Sequence, residues 1–127
     1  MIAASACFAK SASISPDEYE IQIHVVDRDS GNTLSDIRVI LEVFYPGMPM
    51  GRYIAESETK TDSNGFAILK TYNLGPLEIN AEPCDNFFAK GSASIQELKG
   101  GPDEPFVIEI KVSPKYCGEQ SLRPGPE

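Results

Sequence analysis

The feature that most constrains this chain is alternation with a period of two residues. Tyr19, Ile21, Ile23 and Val25 alternate with Glu20, Gln22 and His24, and Phe106, Ile108, Ile110 and Val112 alternate with Val107, Glu109 and Lys111. Successive side chains of a strand point to opposite faces, so each run predicts a half-buried strand. Ile37, Val39, Leu41, Val43 and Tyr45 repeat the pattern against Arg38, Ile40, Glu42 and Phe44, which predicts a strand apolar on both faces. In residues 77–82, Leu77, Ile79 and Ala81 oppose Glu78, Asn80 and Glu82, while 52–58, 66–70 and 91–98 carry shorter strand patterns. No long segment with helical periodicity competes with them.

The stretches between these runs carry turn chemistry. Asp27-Arg28-Asp29-Ser30-Gly31-Asn32, Thr61-Asp62-Ser63-Asn64-Gly65, Gly75-Pro76 and Gly100-Gly101-Pro102 all favour chain reversal. Pro46-Gly47-Met48-Pro49-Met50-Gly51 cannot continue a ladder, because proline lacks the donor and glycine weakens strand order. The Asn64-Gly65 pair is a strong turn signal, since both residues tolerate positive φ. About seven short strands at this spacing predict an all-β fold, a seven-stranded antiparallel sandwich of immunoglobulin-like type. The expected division is an arm or processed segment over 1–18, the sandwich over 19–113 and a tail over 114–127, in which Arg123-Pro124-Gly125-Pro126-Glu127 shows no apolar periodicity. A length of 127 residues suits one such domain.

Charge narrows the partners. The formal net charge is -8, with lysines and arginines scattered along the chain, so no basic footprint for a phosphate backbone exists and nucleic acid is excluded as a partner. The same acidity opposes adsorption to anionic lipid, and no apolar run approaches the ~20 residues of a spanning helix. Met1 to Ala9 is apolar and built from small residues, but no basic residue precedes it, so it is not a complete export signal. Ala4-Ser5-Ala6-Cys7 resembles a bacterial lipobox, which implies a lipid anchor at Cys7.

Cys7, Cys84 and Cys117 form no Cys-x-x-Cys pair and have no histidine at ligand spacing, so zinc and thioredoxin-type chemistry lack support. The odd count leaves at least one thiol unpaired within a monomer. Cys84 follows one predicted strand and Cys117 the last, so a bridge between them is one arrangement open to the chain; spacing alone does not settle the pairing.

The series Ile23-His24-Val25-Val26-Asp27, Gly31, Leu34, Ile37-Arg38-Val39, Thr61-Asp62-Ser63-Asn64-Gly65-Phe66, Gly75 and Ile79-Asn80-Ala81 resembles the carboxypeptidase regulatory-like superfamily. The match runs over roughly residues 20 to 112, and the order of its elements carries it more than any single one. The resemblance implies a transthyretin-like sandwich, extracellular or on the cell surface, serving as an accessory, adhesive or stalk domain and supplying no reaction of its own. Related collagen-adhesin B-type repeats often carry a Lys-to-Asn isopeptide bond. Here the first strand has no Lys and the last no Asn.

Enzymes on similar sandwiches set stricter demands. The 5-hydroxyisourate hydrolases begin with His-Val-x-Asp, matched by His24-Val25-Val26-Asp27, but Phe66 stands where they carry Arg after Asp-Gly, and His24 is the only histidine. Tyr116-Cys117-Gly118-Glu119 meets their terminal motif at two positions only. A lone imidazole without partners to polarise substrate and move protons makes no such site. Intradiol dioxygenases need two histidines. Asp27, Asp29, Asp62 and Asn64 supply oxygens in turns, but without the spacing of a calcium loop they are expected to close the turns themselves. The expectation is therefore no catalytic residue, no cofactor and no metal.

What remains is association. The loop holding Tyr45, Met48, Met50 and Tyr53 carries adaptable and amphipathic side chains of the kind enriched at binding surfaces. Ile40 and Phe44 point away from the core positions of their strand, so both are expected on the surface unless something covers them. Residues 6–14 read as an extended arm with Phe8 and Ile14 on one face, suited to pairing with a neighbour's sheet edge. The sequence thus predicts a non-catalytic structural, adhesion or protein-binding module with a protein partner or a homo-oligomer. One alternative is a self-assembling, pilus-like subunit whose arm adds a strand to its neighbour, and a remoter one is a small hydrolase.

Overall fold

The structure is a computed structural model that describes residues 13–47, 50–99 and 103–117, with the side chains of 13 and 14 left aside. Among the described residues seven strands form two sheets: β1 (Ser13–Asp27), β2 (Arg38–Tyr45), β3 (Arg52–Lys60), β4 (Phe66–Gly75), β5 (Leu77–Glu82), β6 (Gly91–Ile95) and β7 (Phe106–Val112). One sheet runs β4-β1-β7 and the other β3-β2-β5-β6. Their facing sides supply one core, with Ile21, Ile23, Val25, Leu69, Ile110 and Val112 packed against Val39, Leu41, Val43, Leu77, Ile79 and Ala81. These are the apolar members of the alternating runs. Full burial of each Ile, Leu or Val contributes roughly 1.5–3 kcal/mol relative to exposure.

Two expectations need correction. The sandwich is not wholly antiparallel, because β1 pairs with β7 in parallel, Ile21 opposite Phe106 through Asp27 opposite Val112. Parallel neighbours need a long crossover, and here the five intervening strands are that crossover. The first strand also begins well before Tyr19, since Ser13 and Ile14 pair with Gly75 and Asn73 of β4. Between Ile14 and Tyr19 the ladder is irregular: β1 advances from 14 to 19 while β4 retreats only from 73 to 71. Pro16 offers no donor there, and the Ser15 hydroxyl accepts a hydrogen bond from the Asp17 amide at 3.0 Å.

The Thr61–Gly65 turn joins two sheets instead of forming a hairpin within one. Thr61, buried at the corner, accepts a hydrogen bond on Oγ1 from the Ile37 amide at 2.9 Å and donates to the Leu34 carbonyl at 2.8 Å. The Asp62 carboxylate accepts from the amides of Asn64 at 2.8 Å and Phe66 at 3.0 Å. Gly65 takes φ 84° and Asn64 does not share the positive region. A β-carbon at 65 would stand 2.8 Å from that of Thr33, so the corner requires glycine for close approach as well as for φ.

The two sheets meet at two seams. Where β3 lies by β4, a bulge between Leu41 and Glu42 of the partner strand leaves Glu56 unpaired. Its carboxylate accepts hydrogen bonds from Thr71 Oγ1 and Asn73 Nδ2, both at 3.0 Å, clasping the sheets together. Where β6 lies by β7, one end is held by Cys84–Cys117, whose Cα atoms are 5.9 Å apart, and by the Ser113 amide donating to the Ala89 carbonyl at 2.9 Å. The first residues of the expected tail, up to Cys117, therefore belong to the sandwich. The other end of this seam opens into a groove of about 380 Å³.

Candidate interaction surface

The hairpin connection between β5 and β6 carries the most prominent feature of the surface. Pro83-Cys84-Asp85-Asn86 leads into a single 3-10 turn, Phe87–Ala89. The Asn86 carboxamide oxygen accepts from the Phe88 amide at 2.9 Å, and its Nδ2 donates to the Tyr116 carbonyl at 3.1 Å. Ala89 is fully buried, and Lys90 donates its amide to the Phe87 carbonyl at 3.3 Å. With Cys84 bonded to Cys117, the short turn is pinned at both ends and beneath.

This support holds two phenylalanines outward. Phe87 is 79% exposed and Phe88 70%. Their rings meet edge to face with centroids 5.6 Å apart, and the Phe88 ring lies 6.0 Å from that of Tyr116. Lys115 sits over the Tyr116 ring at 5.3 Å and pairs with Asp29 at 3.3 Å. A groove of about 330 Å³ runs beside the phenylalanines, lined also by Asn80, Lys90 and Ser92. The cap and the disulfide hold the backbone that carries them, and a backbone already ordered before contact lowers the entropic cost of binding. Sequence reasoning passed over this segment because it has no strand alternation. The usable signal was the pair itself: adjacent phenylalanines in a turn cannot both point into a core.

The residues singled out from the sequence are placed as follows. Tyr45, Tyr53 and Met50 are exposed, Met50 wholly so and at φ 64°. Phe44 is half-buried, tilted on Tyr53 at 5.2 Å and lying over Gly51, where a β-carbon would come within 2.6 Å of the ring. Ile40 is only 8% exposed. It lies on β2, an internal strand, where the register sets Glu58 and Asn80 on either side of it. Arg38, two residues before it, spans to Glu58 at 2.9 Å and Glu82 at 3.3 Å. The Glu58 hydrogen bond holds the Arg38 guanidinium above, and the Glu58 carboxyl below, their ordinary values. Phe8, Cys7, Met48 and the Ile14 side chain lie outside the described residues.

The outer face of the β4-β1-β7 sheet carries a second apolar area. Phe66, Ile68, Tyr72 and Val107 are exposed there. His24 stacks on Phe66 with centroids 4.3 Å apart and planes at 13°, its Nδ1 3.9 Å from a Glu109 carboxylate oxygen. Its Nε2 is buried without a hydrogen-bond partner. The one histidine is thus a sheet-face residue packed on an aromatic ring.

The turn acids act as turn formers. Asp27 Oδ1 accepts from the Asp29 amide at 2.9 Å, as Asp62 does from its own turn. Those backbone hydrogen bonds, the one from Phe66 foremost, hold the Asp62 carboxyl below its ordinary value. Among the described residues no three His, Cys, Asp or Glu side chains are grouped to hold a metal ion. No described helix is long and apolar enough to cross a membrane.

No protein-family model matches the chain, and no curated protein is significantly similar to it.

Proposed function

We propose that this chain is a non-catalytic structural or protein-binding module, working outside the cytoplasm on a transthyretin-like sandwich, and that it engages its partner through Phe87 and Phe88. The observation that carries this reading is the outward aromatic pair on a cross-linked turn. Two phenylalanines exposed on a turn that is anchored by a disulfide, a side-chain cap and a buried alanine have no role in the core. Burial of each on a partner removes on the order of 150 Å² or more of surface from water.

The other parts of the reading have their own support. Disulfides persist in oxidising compartments, which favours an extracellular or surface location for a chain carrying Cys84–Cys117. The transthyretin-like assignment is supported by the places of the quoted motif residues. Asp27 and Gly31 close the turn after β1, with the Gly31 amide donating to the Asp27 carbonyl at 2.8 Å, and Thr61 to Gly65 forms the passage between sheets. A His24 stacked flat on Phe66 of a sheet face, as the single histidine of the sequence, favours binding over the two-histidine hydrolase chemistry.

The test is a photoreactive benzophenone side chain in place of Phe87 in the native host, with Ser63 as a control position. A protein adduct specific to position 87, and lost when Phe88→Ser is added, is the expected result. Equal labelling at both positions would refute a dedicated aromatic contact.

A further inference from the structure

The chain carries five asparagines, Asn32, Asn64, Asn73, Asn80 and Asn86, and Asn64 alone is followed by glycine. An asparagine deamidates when the peptide nitrogen of the next residue attacks its side-chain carbonyl carbon. Thr33, Leu74, Ala81 and Phe87 carry side chains that crowd this attack, and Gly65 carries none. Asn64 is exposed, so its carboxamide is open to leave and to be replaced by water. The attacking nitrogen, by contrast, is held. Gly65 is buried, and its amide donates to the Asp62 carbonyl at 3.0 Å. On either side of it the amides of Asn64 and Phe66 donate to the Asp62 carboxylate at 2.8 and 3.0 Å. The Gly65 carbonyl accepts from the Val25 amide at 2.9 Å. With both sides of the Asn64-Gly65 peptide tied down, its nitrogen is not free to lose its proton and turn onto the Asn64 side chain while the corner is closed.

We infer that Asn64 is a deamidation site guarded by the fold, modified only in chains whose Thr61–Gly65 corner has opened. In the open chain the Gly65 N–H gives its proton to hydroxide, and the nitrogen bonds to Asn64 Cγ. The Cγ–Nδ2 bond breaks, and the carboxamide nitrogen takes up a proton and leaves as ammonia. Water then opens the five-membered imide at one of its two carbonyls. Hydrolysis at Cγ gives aspartate with an ordinary backbone; hydrolysis at the main-chain carbonyl gives isoaspartate, whose chain runs through Cβ and Cγ. Water is the only co-reactant, and nothing is oxidised or reduced. Either product adds a negative charge two residues from Asp62, but isoaspartate also lengthens the backbone by one carbon. The corner has no slack for it. A β-carbon at Gly65 would already stand 2.8 Å from that of Thr33 and 3.2 Å from both the Leu34 amide nitrogen and the Val25 carbonyl oxygen. Because this corner carries the chain from β3 in one sheet to β4 in the other, a chain with isoaspartate there does not close it again. The site is a one-way chemical record of opening between the sheets, independent of the aromatic contact.

Ageing the oxidised full chain with and without urea, at one pH and temperature, tests the inference. Cleavage after Lys60 and Lys70 isolates residues 61–70, in which Asn64 is the single asparagine, and mass spectrometry reads its conversion. Conversion in urea should exceed that of the folded chain by about tenfold or more, since only the opened fraction of folded chains reacts. Asp62→Ala, checked for folding by circular dichroism, should speed conversion severalfold in the folded chain and leave the rate in urea unchanged, because the carboxylate acts only in the closed turn. Aged chains are then returned to buffer without urea. Those with isoaspartate, separated by chromatography, should stay unprotected in hydrogen exchange at 61–66, whereas Asn64→Asp, which has the backbone of the other product, should be protected. No conversion at Asn64 in urea would overturn the site. Equal rates with and without urea, or a folded-chain rate that Asp62→Ala leaves unchanged, would overturn the guard. Isoaspartate chains that regain full protection would overturn the one-way record.

Discussion

The two seams of the sandwich solve the same problem by different means. At β3–β4 the sheets are joined by a tight corner, and a bulged glutamate clasps Thr71 and Asn73 across the gap. At β6–β7 one end is cross-linked through Cys84 and Cys117 while the other stays open over Phe106 and Ile108. The first seam is closed by side-chain hydrogen bonds between its two strands. The second carries a covalent tie and presents both exposed aromatics and a groove of mixed polar and apolar lining. Where a sandwich is closed it supplies stability, and where it is left open it supplies a surface.

The largest test of that contrast is the disulfide. Cys84→Ala with Cys117→Ala removes a link across a sequence separation of 33, and loop-closure entropy predicts a loss of about 3–4 kcal/mol in urea unfolding. Hydrogen exchange should rise first at 86–91 and 113–117 and leave 61–66 protected. Next is Gly91→Ala, expected to cost about 2 kcal/mol in the same assay. Its β-carbon would press on the Lys111 carbonyl and on Ile110 Cγ2, forcing β6 away from β7. On the other seam, Glu56→Ala leaves buried Thr71 and Asn73 without their acceptor. The expected loss is about 1–2 kcal/mol, with the disulfide end undisturbed.

Acid gives a smaller, signed effect at the corner beside β3. The Asp62 carboxyl is depressed in the folded state, so the stability it contributes is present above the unfolded value, about 3.9, and is lost as pH falls through the folded value. Wild type should therefore exceed Asp62→Asn in denaturant midpoint at neutral pH, with the gap shrinking below about pH 4. A gap that stays constant down to pH 2 would show that the charge of Asp62 is not the source. Smallest of all, Phe87→Ser should shift the unfolding free energy by no more than about 0.5 kcal/mol. A loss above 1 kcal/mol would place Phe87 among the residues that hold the fold, contrary to its exposure.

Much of the fold was legible because its signals are local. The alternation in 19–25, 37–45, 77–82 and 106–112 marked the strands and sorted core positions from surface ones, and nearly every apolar member of those runs is in the core. The acids of Asp27 and Asp62 were legible as turn formers for the same reason, since each bonds to amides a few residues away. The binding surface was less legible. Tyr45, Met50 and Tyr53 are exposed, but Ile40 is only 8% exposed, and Phe87 and Phe88 carried no periodic signal.

By itself the sequence determined which segments are strands, which of their faces is apolar and where the chain must turn, because these follow from side-chain period and backbone preference within a few residues. Only the tertiary structure decided that β1 and β7 run parallel, that β3 and β4 lie in different sheets, that Cys84 pairs with Cys117 and that one seam stays open. Each of these depends on which distant backbone edges and side chains come to share the same space. A pattern that repeats every two residues can specify a face but not a neighbour.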